Sequence, residues 1–181
     1  MEKYKCGLYV GRFQPLHLGH YSVIMRMLKK CDKAIIAIGS AQECGTERNP
    51  FSYALRANMI YTILQQSYGN IEDKVLIVPI DDRKNPSNDA SWGTYLMNQV
   101  IKYTGIQPDV IFEGEEQERN NWYDDLNIAV HKVSRTTINI SGTRVRNFLL
   151  TDHKHAFQFN TPKPMWDMYN ILREVILKCK D

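Results

Sequence analysis

The sequence predicts an α/β protein: a parallel sheet of about five strands with helices on both faces, closed by a C-terminal helix. Two observations point there. Apolar strand-like runs alternate with helical patterns along the chain, and most of those runs are continuous, as in AIIAI at 34–38, which marks strands buried on both faces. A third observation concerns function: each unusual loop follows a strand, and in such folds the carboxyl ends of the strands are where ligands bind.

The elements read in order as follows. Residues 4–10 form a buried strand, and 18–31 a helix with Val23, Ile24, Met27 and Leu28 at helical spacing. Residues 34–38 are the second strand, ended by Gly39-Ser40 and a polar loop over 41–49. Asn49-Pro50 reads as an N-cap with proline at the first helical position, opening a helix over 51–66. A third strand spans 75–80. The Asp/Asn/Pro/Ser-rich residues 81–90 form a loop, and a helix follows over 91–103. Residues 108–112 give the fourth strand, ending in Glu113-Gly114. The charged stretch 115–125 holds a short helix or loop, and 128–133 is the fifth strand. Ser141 caps a helix to about 150. Residues 152–162 read as a loop, and Pro162-Lys163-Pro164 opens a last helix to about 178. With no repeat, low-complexity segment or linker, 1–181 reads as one domain, 151–181 being a C-terminal helical extension.

Bulk properties narrow the function classes. A chain of 181 residues, 43% hydrophobic and 24% charged, can bury a real core. Its net charge of +3, with no basic stripe, does not suggest nucleic acid; a locally concentrated positive charge suits a phosphorylated small substrate. The four cysteines, Cys6, Cys31, Cys44 and Cys179, form no CxxC pair, so neither a disulfide framework nor a zinc site is expected. The apolar run near the N-terminus is too short for a signal peptide, and nothing approaches the ~18 apolar residues of a membrane span. The expectation is a cytoplasmic protein with no nucleic-acid or membrane partner.

The stretch with the most chemistry is Gly11-Arg12-Phe13-Gln14-Pro15-Leu16-His17-Leu18-Gly19-His20. Gly11 permits close backbone approach. His17 and His20 are three apart at the mouth of the first helix, so they share a face. A helix N-terminus supplies unpaired N–H groups and a positive dipole end, and Arg12 adds an always-charged donor. The combination suits a polyphosphate. No Walker lysine motif or GxSxG elbow accompanies it.

GRFQPLHLGH resembles the HxGH signature of the nucleotidylyltransferase superfamily, whose members share a Rossmann-like domain; in its longer form it is similar to archaeal-type nicotinamide-nucleotide adenylyltransferases. Three further segments agree: IGSAQECGTERNPF at 38–51, ISGTRVR at 140–146, and Asn88-Asp89-Ala90-Ser91-Trp92. The resemblance covers roughly residues 5–150. It implies adenylyl transfer from ATP to nicotinamide mononucleotide, or its nicotinate counterpart, giving NAD or the deamido form and pyrophosphate. It places His17, His20 and Arg146 in catalysis. Gly11, Arg12, Phe13, Gln14, Arg48, Ser141, Gly142 and Thr143 are expected around ATP. Gly39, Ser40, Asp82, Asn88 and Trp92 are expected around the mononucleotide, Trp92 as a flat π surface for a cationic pyridinium. Magnesium is expected on the ATP phosphates, with no dedicated protein ligands. Homo-oligomerisation is expected because family members commonly assemble.

The pattern departs from the family in two places. The loop 81–91 is long, and the acidic segment 113–122, with Glu113, Glu115 and Glu116, reads as a solvated loop. His153 and His155 read as loop residues. The rival readings are another HxGH transferase, acting on phosphopantetheine or transferring a cytidylyl group, and a non-catalytic nucleotide sensor.

Overall fold

A computed structural model describes residues 3–83, 91–115, 122–134 and 140–179. Among these residues five strands form one sheet: β1 (Tyr4–Gly11), β2 (Cys31–Ile38), β3 (Val75–Pro79), β4 (Val110–Gly114) and β5 (Ala129–Val133). Their spatial order is β3-β2-β1-β4-β5, and every neighbouring pair is parallel. The chain therefore builds outward from β1 in one direction, then returns to add β4 and β5 on the other side. That reversal opens a crevice at the carboxyl ends of β1 and β4.

The described residues also form six α-helices: α1 (Leu18–Lys30), α2 (Tyr53–Tyr68), α3 (Trp92–Thr104), α4 (Gly142–Leu150), α5 (Lys154–Asn160) and α6 (Tyr169–Leu177), with a 3₁₀ segment at Lys163–Met168. The period of two along the strands divides the core. Ala34, Ile36 and Ile38 join one cluster with Val23, Ile24, Met27, Met59, Ile60 and Val145 from α1, α2 and α4. Ile35 and Ala37 face the other way, toward Leu96, Met97 and Val100 of α3. Each Val, Leu, Ile or Met side chain among these, fully buried, contributes roughly 1.5–3 kcal/mol.

Three expectations change. Helix α2 is capped by Ser52, whose Oγ accepts from the Leu55 N–H at 3.2 Å, and not by Asn49. The reason is tertiary. The Gln14 amide takes both backbone groups of Phe51, donating to its carbonyl at 2.8 Å and accepting from its N–H at 2.9 Å, so the helix cannot begin there. Asn49 instead closes a local turn, its N–H donating to Thr46 Oγ1 at 3.0 Å. The stretch 152–162 is not a loop: it contains α5, anchored by the fully buried Phe157. The single last helix is likewise a 3₁₀ segment followed by α6, since the prolines at 162 and 164 hold the first turn tight. These C-terminal pieces pack on α2 and α4.

Candidate active site

β1 ends at Gly11 and the chain turns sharply before α1. Phe13 takes a left-handed backbone, φ 50°, and the Gln14–Pro15 peptide is cis. Phe13 is buried beneath the site; its ring centroid lies 4.9 Å from that of His20. His17 is the N-cap of α1, its Nδ1 accepting from the Gly19 N–H at 3.1 Å. That acceptor role puts the ring proton on Nε2. The His17 and His20 rings stack, with centroids 3.8 Å apart and planes 25° from parallel. Two imidazoles thus stand side by side at the positive end of a helix.

The second helix N-terminus, at Gly142, comes from the far end of the chain. Ser141 caps α4, its Oγ accepting from the Arg144 N–H at 3.3 Å. Arg146, one turn into α4, donates from Nη1 to the Gln14 carbonyl at 2.7 Å and from Nη2 to Thr143 Oγ1 at 3.1 Å. Gly142 makes this approach possible: a Cβ there would sit 2.9 Å from the Gln14 carbonyl oxygen. The starts of α1 and α4 are thereby joined through one backbone carbonyl.

Positive charge gathers at this junction. Burial pushes the Arg12 pKa below the ordinary arginine value, and Arg48 depresses it further against a smaller opposing pull from Asp82 and Glu43. Burial lowers that of Arg146 too, Arg12 and Arg48 adding to the effect and Glu47 opposing it. Arg12 and Arg146, whose charge burial and neighbouring arginines disfavour, are arranged to receive an anion. Among the described residues, no group of three or more His, Cys, Asp or Glu side chains could hold a metal ion.

The other side of the crevice is stitched backbone to backbone. The Gly39 N–H donates to the Gly11 carbonyl at 2.9 Å, and the Ala41 N–H to that of Ile80 at 3.0 Å. Asp82 accepts from Gln42 Nε2 at 3.1 Å, while its own N–H donates to Gln42 Oε1 at 3.0 Å. Trp92 is the first residue of α3, half-buried, with its ring edge-on to Trp122 at 5.1 Å. Beside it, Gly93 lets α3 pass hard against the Trp122 carbonyl, where a Cβ would collide. Asn88 lies outside the described residues, as do 84–90 of the long loop and 116–121 of the acidic segment. Glu113 is no solvated loop residue. It is in β4, 8% exposed, and accepts from the Tyr123 hydroxyl at 2.9 Å, because strand register turns it inward.

The structure thus brings Gly11, Arg12, His17, His20, Ser141, Gly142, Thr143 and Arg146 together, with Arg48 electrostatically coupled from its exposed loop. Gly39 adjoins them through its bond to the Gly11 carbonyl, Ser40 follows it, and Asp82 is tied to Gln42 of the same loop. Phe13 and Gln14 act as supports: both are buried, and Gln14 directs its amide at Phe51. The reading from sequence missed Arg56, which lies inside α2 with its guanidinium on the carbonyls of Arg12, Gly39 and Ser40. Its signal was a charge at i−3, i−4 and i−7 from Met59, Ile60 and Ile63, on the face those residues bury.

The sequence model of the family described as cytidylyltransferase-like matches residues 8–148. The chain belongs to that family. Among curated proteins, one named nicotinamide-nucleotide adenylyltransferase from Thermococcus onnurineus (strain NA1) is 36% identical over 110 residues, covering 61% of this chain and 54% of that protein. Another of that name, from Archaeoglobus fulgidus, is 45% identical over 76 residues, covering 41% and 44% respectively. The chain spans about half the length of the curated relatives it matches. A crystal structure of a bifunctional NMN adenylyltransferase/ADP ribose pyrophosphatase from Francisella tularensis, complexed with AMP and manganese ion, superposes with a TM-score of 0.75 at 25% identity. The match covers 97% of this chain and 52% of that one. The cytidylyltransferase-like match takes in both junction helices, α1 and α4, through Phe148. No helix of the described residues is long and apolar enough to cross a membrane.

Proposed function

We propose that this chain transfers the adenylyl group of ATP to nicotinamide mononucleotide or its nicotinate counterpart, forming the dinucleotide and releasing pyrophosphate. The observation that carries the reading is the junction of two helix N-termini, where stacked His17 and His20 meet Arg12, Arg48 and Arg146. The names of the archaeal relatives and of the Francisella structure support the choice of substrates.

In this reading a phosphate oxygen of the mononucleotide attacks the α-phosphorus of ATP in line. The new P–O bond forms as the bond to the bridging oxygen of the β-phosphate breaks, and pyrophosphate leaves with that electron pair. The attacking oxygen is already anionic, so no protein nucleophile or general base is needed; the chain supplies orientation and charge. His17 and His20 stabilise the α-phosphoryl oxygens. The first turn of α4, with Ser141, Gly142 and Thr143, receives the β- and γ-phosphates. Arg146 neutralises the leaving pyrophosphate, and Arg12 and Arg48 hold the polyphosphate from the other side. Gly39, Ser40, Asp82 and Asn88 border the mononucleotide, and Trp92 offers its face to the pyridinium.

Magnesium fits this site as a cation carried on the ATP phosphates, because the chain side of the junction is cationic. When bound, it supplies further neutralisation of the triphosphate.

The test is direct: purified protein, ATP and magnesium with each mononucleotide in turn, the product resolved by chromatography. Dinucleotide with either substrate supports the reading. Absence of product with both, or preference for cytidine triphosphate over ATP, removes it.

A further inference from the structure

Arg56 heads the fully buried side chains of the described residues by volume, at 0% exposure. A buried guanidinium is costly unless its donors are met, and usually a carboxylate meets them. Here no ion pair to Arg56 appears among the described residues. Four carbonyl oxygens take the role instead. Nη1 donates to Arg12 O and to Gly39 O, both at 2.8 Å; Nη2 donates to Ser40 O at 3.0 Å; and Nε donates to Ser52 O, one turn back in its own helix, at 3.3 Å.

The placement of these carbonyls is the informative part. Arg12 belongs to the turn after β1, which leads into His17. Gly39 and Ser40 belong to the turn after β2. One nitrogen therefore grips both turns. The residues that follow the two carbonyls on that nitrogen are Phe13, φ 50°, and Ser40, φ 47°. Left-handed backbone is uncommon for residues other than glycine, and it persists where the surroundings over-determine it. Both left-handed residues of the site thus have the preceding carbonyl pinned by the same guanidinium. Packing alone asks for no such device: an apolar side chain of similar volume would fill the space without a charge to compensate. A rigid planar fork is suited to holding two loops at a set separation.

We propose that Arg56 is a positioning residue, setting the turn that carries Arg12 and leads to His17 relative to the turn that carries Gly39 and Ser40. The inference rests on the adenylyl-transfer reading, in which the first turn serves ATP and the second the mononucleotide. Each loop keeps its own contacts when Arg56 is lost, so each substrate still binds. What is lost is the alignment of the attacking oxygen with the α-phosphorus, and a displacement of about 1 Å in such an arrangement costs on the order of 100-fold in rate.

The test compares wild type with Arg56→Met, which retains an unbranched apolar stem and removes every donor. Melting curves establish that the variant is folded at the assay temperature. Steady-state kinetics are then measured for both substrates, together with amide hydrogen exchange of the ligand-free protein. The expected result is a kcat lower by about 100-fold with both KM values within about threefold of wild type. Exchange should quicken at residues 11–14 and 39–41 while the sheet stays protected. A folded variant with kcat near wild type overturns the proposal, and so does a defect confined to the KM values. If Arg56→Met does not fold, Arg56→Lys is held to the same criteria, since one ammonium cannot span both turns and Ser52 as the fork does. If wild type itself forms no dinucleotide, the functional reading has failed; the exchange comparison then decides the brace alone, and unchanged exchange at both turns removes it.

Discussion

The two walls of the crevice are held to different degrees. On the wall built from β1, α1 and α4, candidate side chains are fixed by named contacts: His17 by its cap bond to Gly19, His20 by stacking on His17 and a tilted ring contact with Phe13, and Arg146 by Gln14 O and Thr143. On the wall built from α3 and residues 80–83, the ties among the described residues are more exposed. Asp82 is linked to Gln42, the Tyr95 hydroxyl donates to Asp81 O at 3.1 Å, and Trp92 leans on Trp122. In the proposed reaction the first wall takes the triphosphate and the charge that develops on it. Preorganised donors are most valuable there, because they need not reorganise as the charge moves. In the same reading the second wall takes the mononucleotide.

The sharpest way to break this contrast is His20→Ala. In the proposed reaction it should lower kcat about 1000-fold, as loss of a donor aimed at transition-state charge does, with the melting temperature showing the protein still folded. A variant near the wild-type rate would show that the first wall is not the reacting one. Gln14→Ala tests whether that wall is braced as described. It strands the N–H and carbonyl of Phe51 in the interior, and a buried unsatisfied group costs about 1–3 kcal/mol, so denaturant unfolding should report a loss of roughly 2 kcal/mol or more. A loss below about 0.5 kcal/mol would mean that the Phe51 backbone finds other partners. The smallest expected effect sharpens the account of the second wall. Trp92→Ala should raise the mononucleotide KM about tenfold, the equivalent of one cation–π contact, and leave the ATP KM within about twofold. A kcat defect rivalling that of His20→Ala would reverse the comparison.

Much of this architecture was legible in the chain, and the residues show why. AIIAI is apolar without alternation, so β2 could only be an inner strand. Ser141 before an amphipathic run announced α4, and the histidine pair announced the start of α1. What escaped depends on partners distant in sequence. Helix α2 begins at Ser52 instead of Asn49 because Gln14, 37 residues earlier, takes the Phe51 backbone. Helix α5 has only one buried apolar anchor, Phe157, so its periodicity was too weak to see. Glu113 sits in an acidic run, but its inward turn is decided by strand register and by the Tyr123 hydroxyl. Arg56 was hardest of all: its partners are backbone carbonyls, which leave no mark on the residue types around it.

The central strand has one more consequence, and it concerns folding. On one edge β1 pairs with β2, a neighbour in the chain; on the other it pairs with β4, and the seam is sealed by Asp109, whose carboxylate accepts from the N–H groups of Lys5 and Cys6 across 104 and 103 residues. The first pairing closes a short loop, while the second must close about a hundred residues of chain at once, a step that gives slow, late contacts. The seam runs beneath the crevice and unites the histidines of the first half with Arg146 of the second. Until that seam closes there is no place where the two helix N-termini meet.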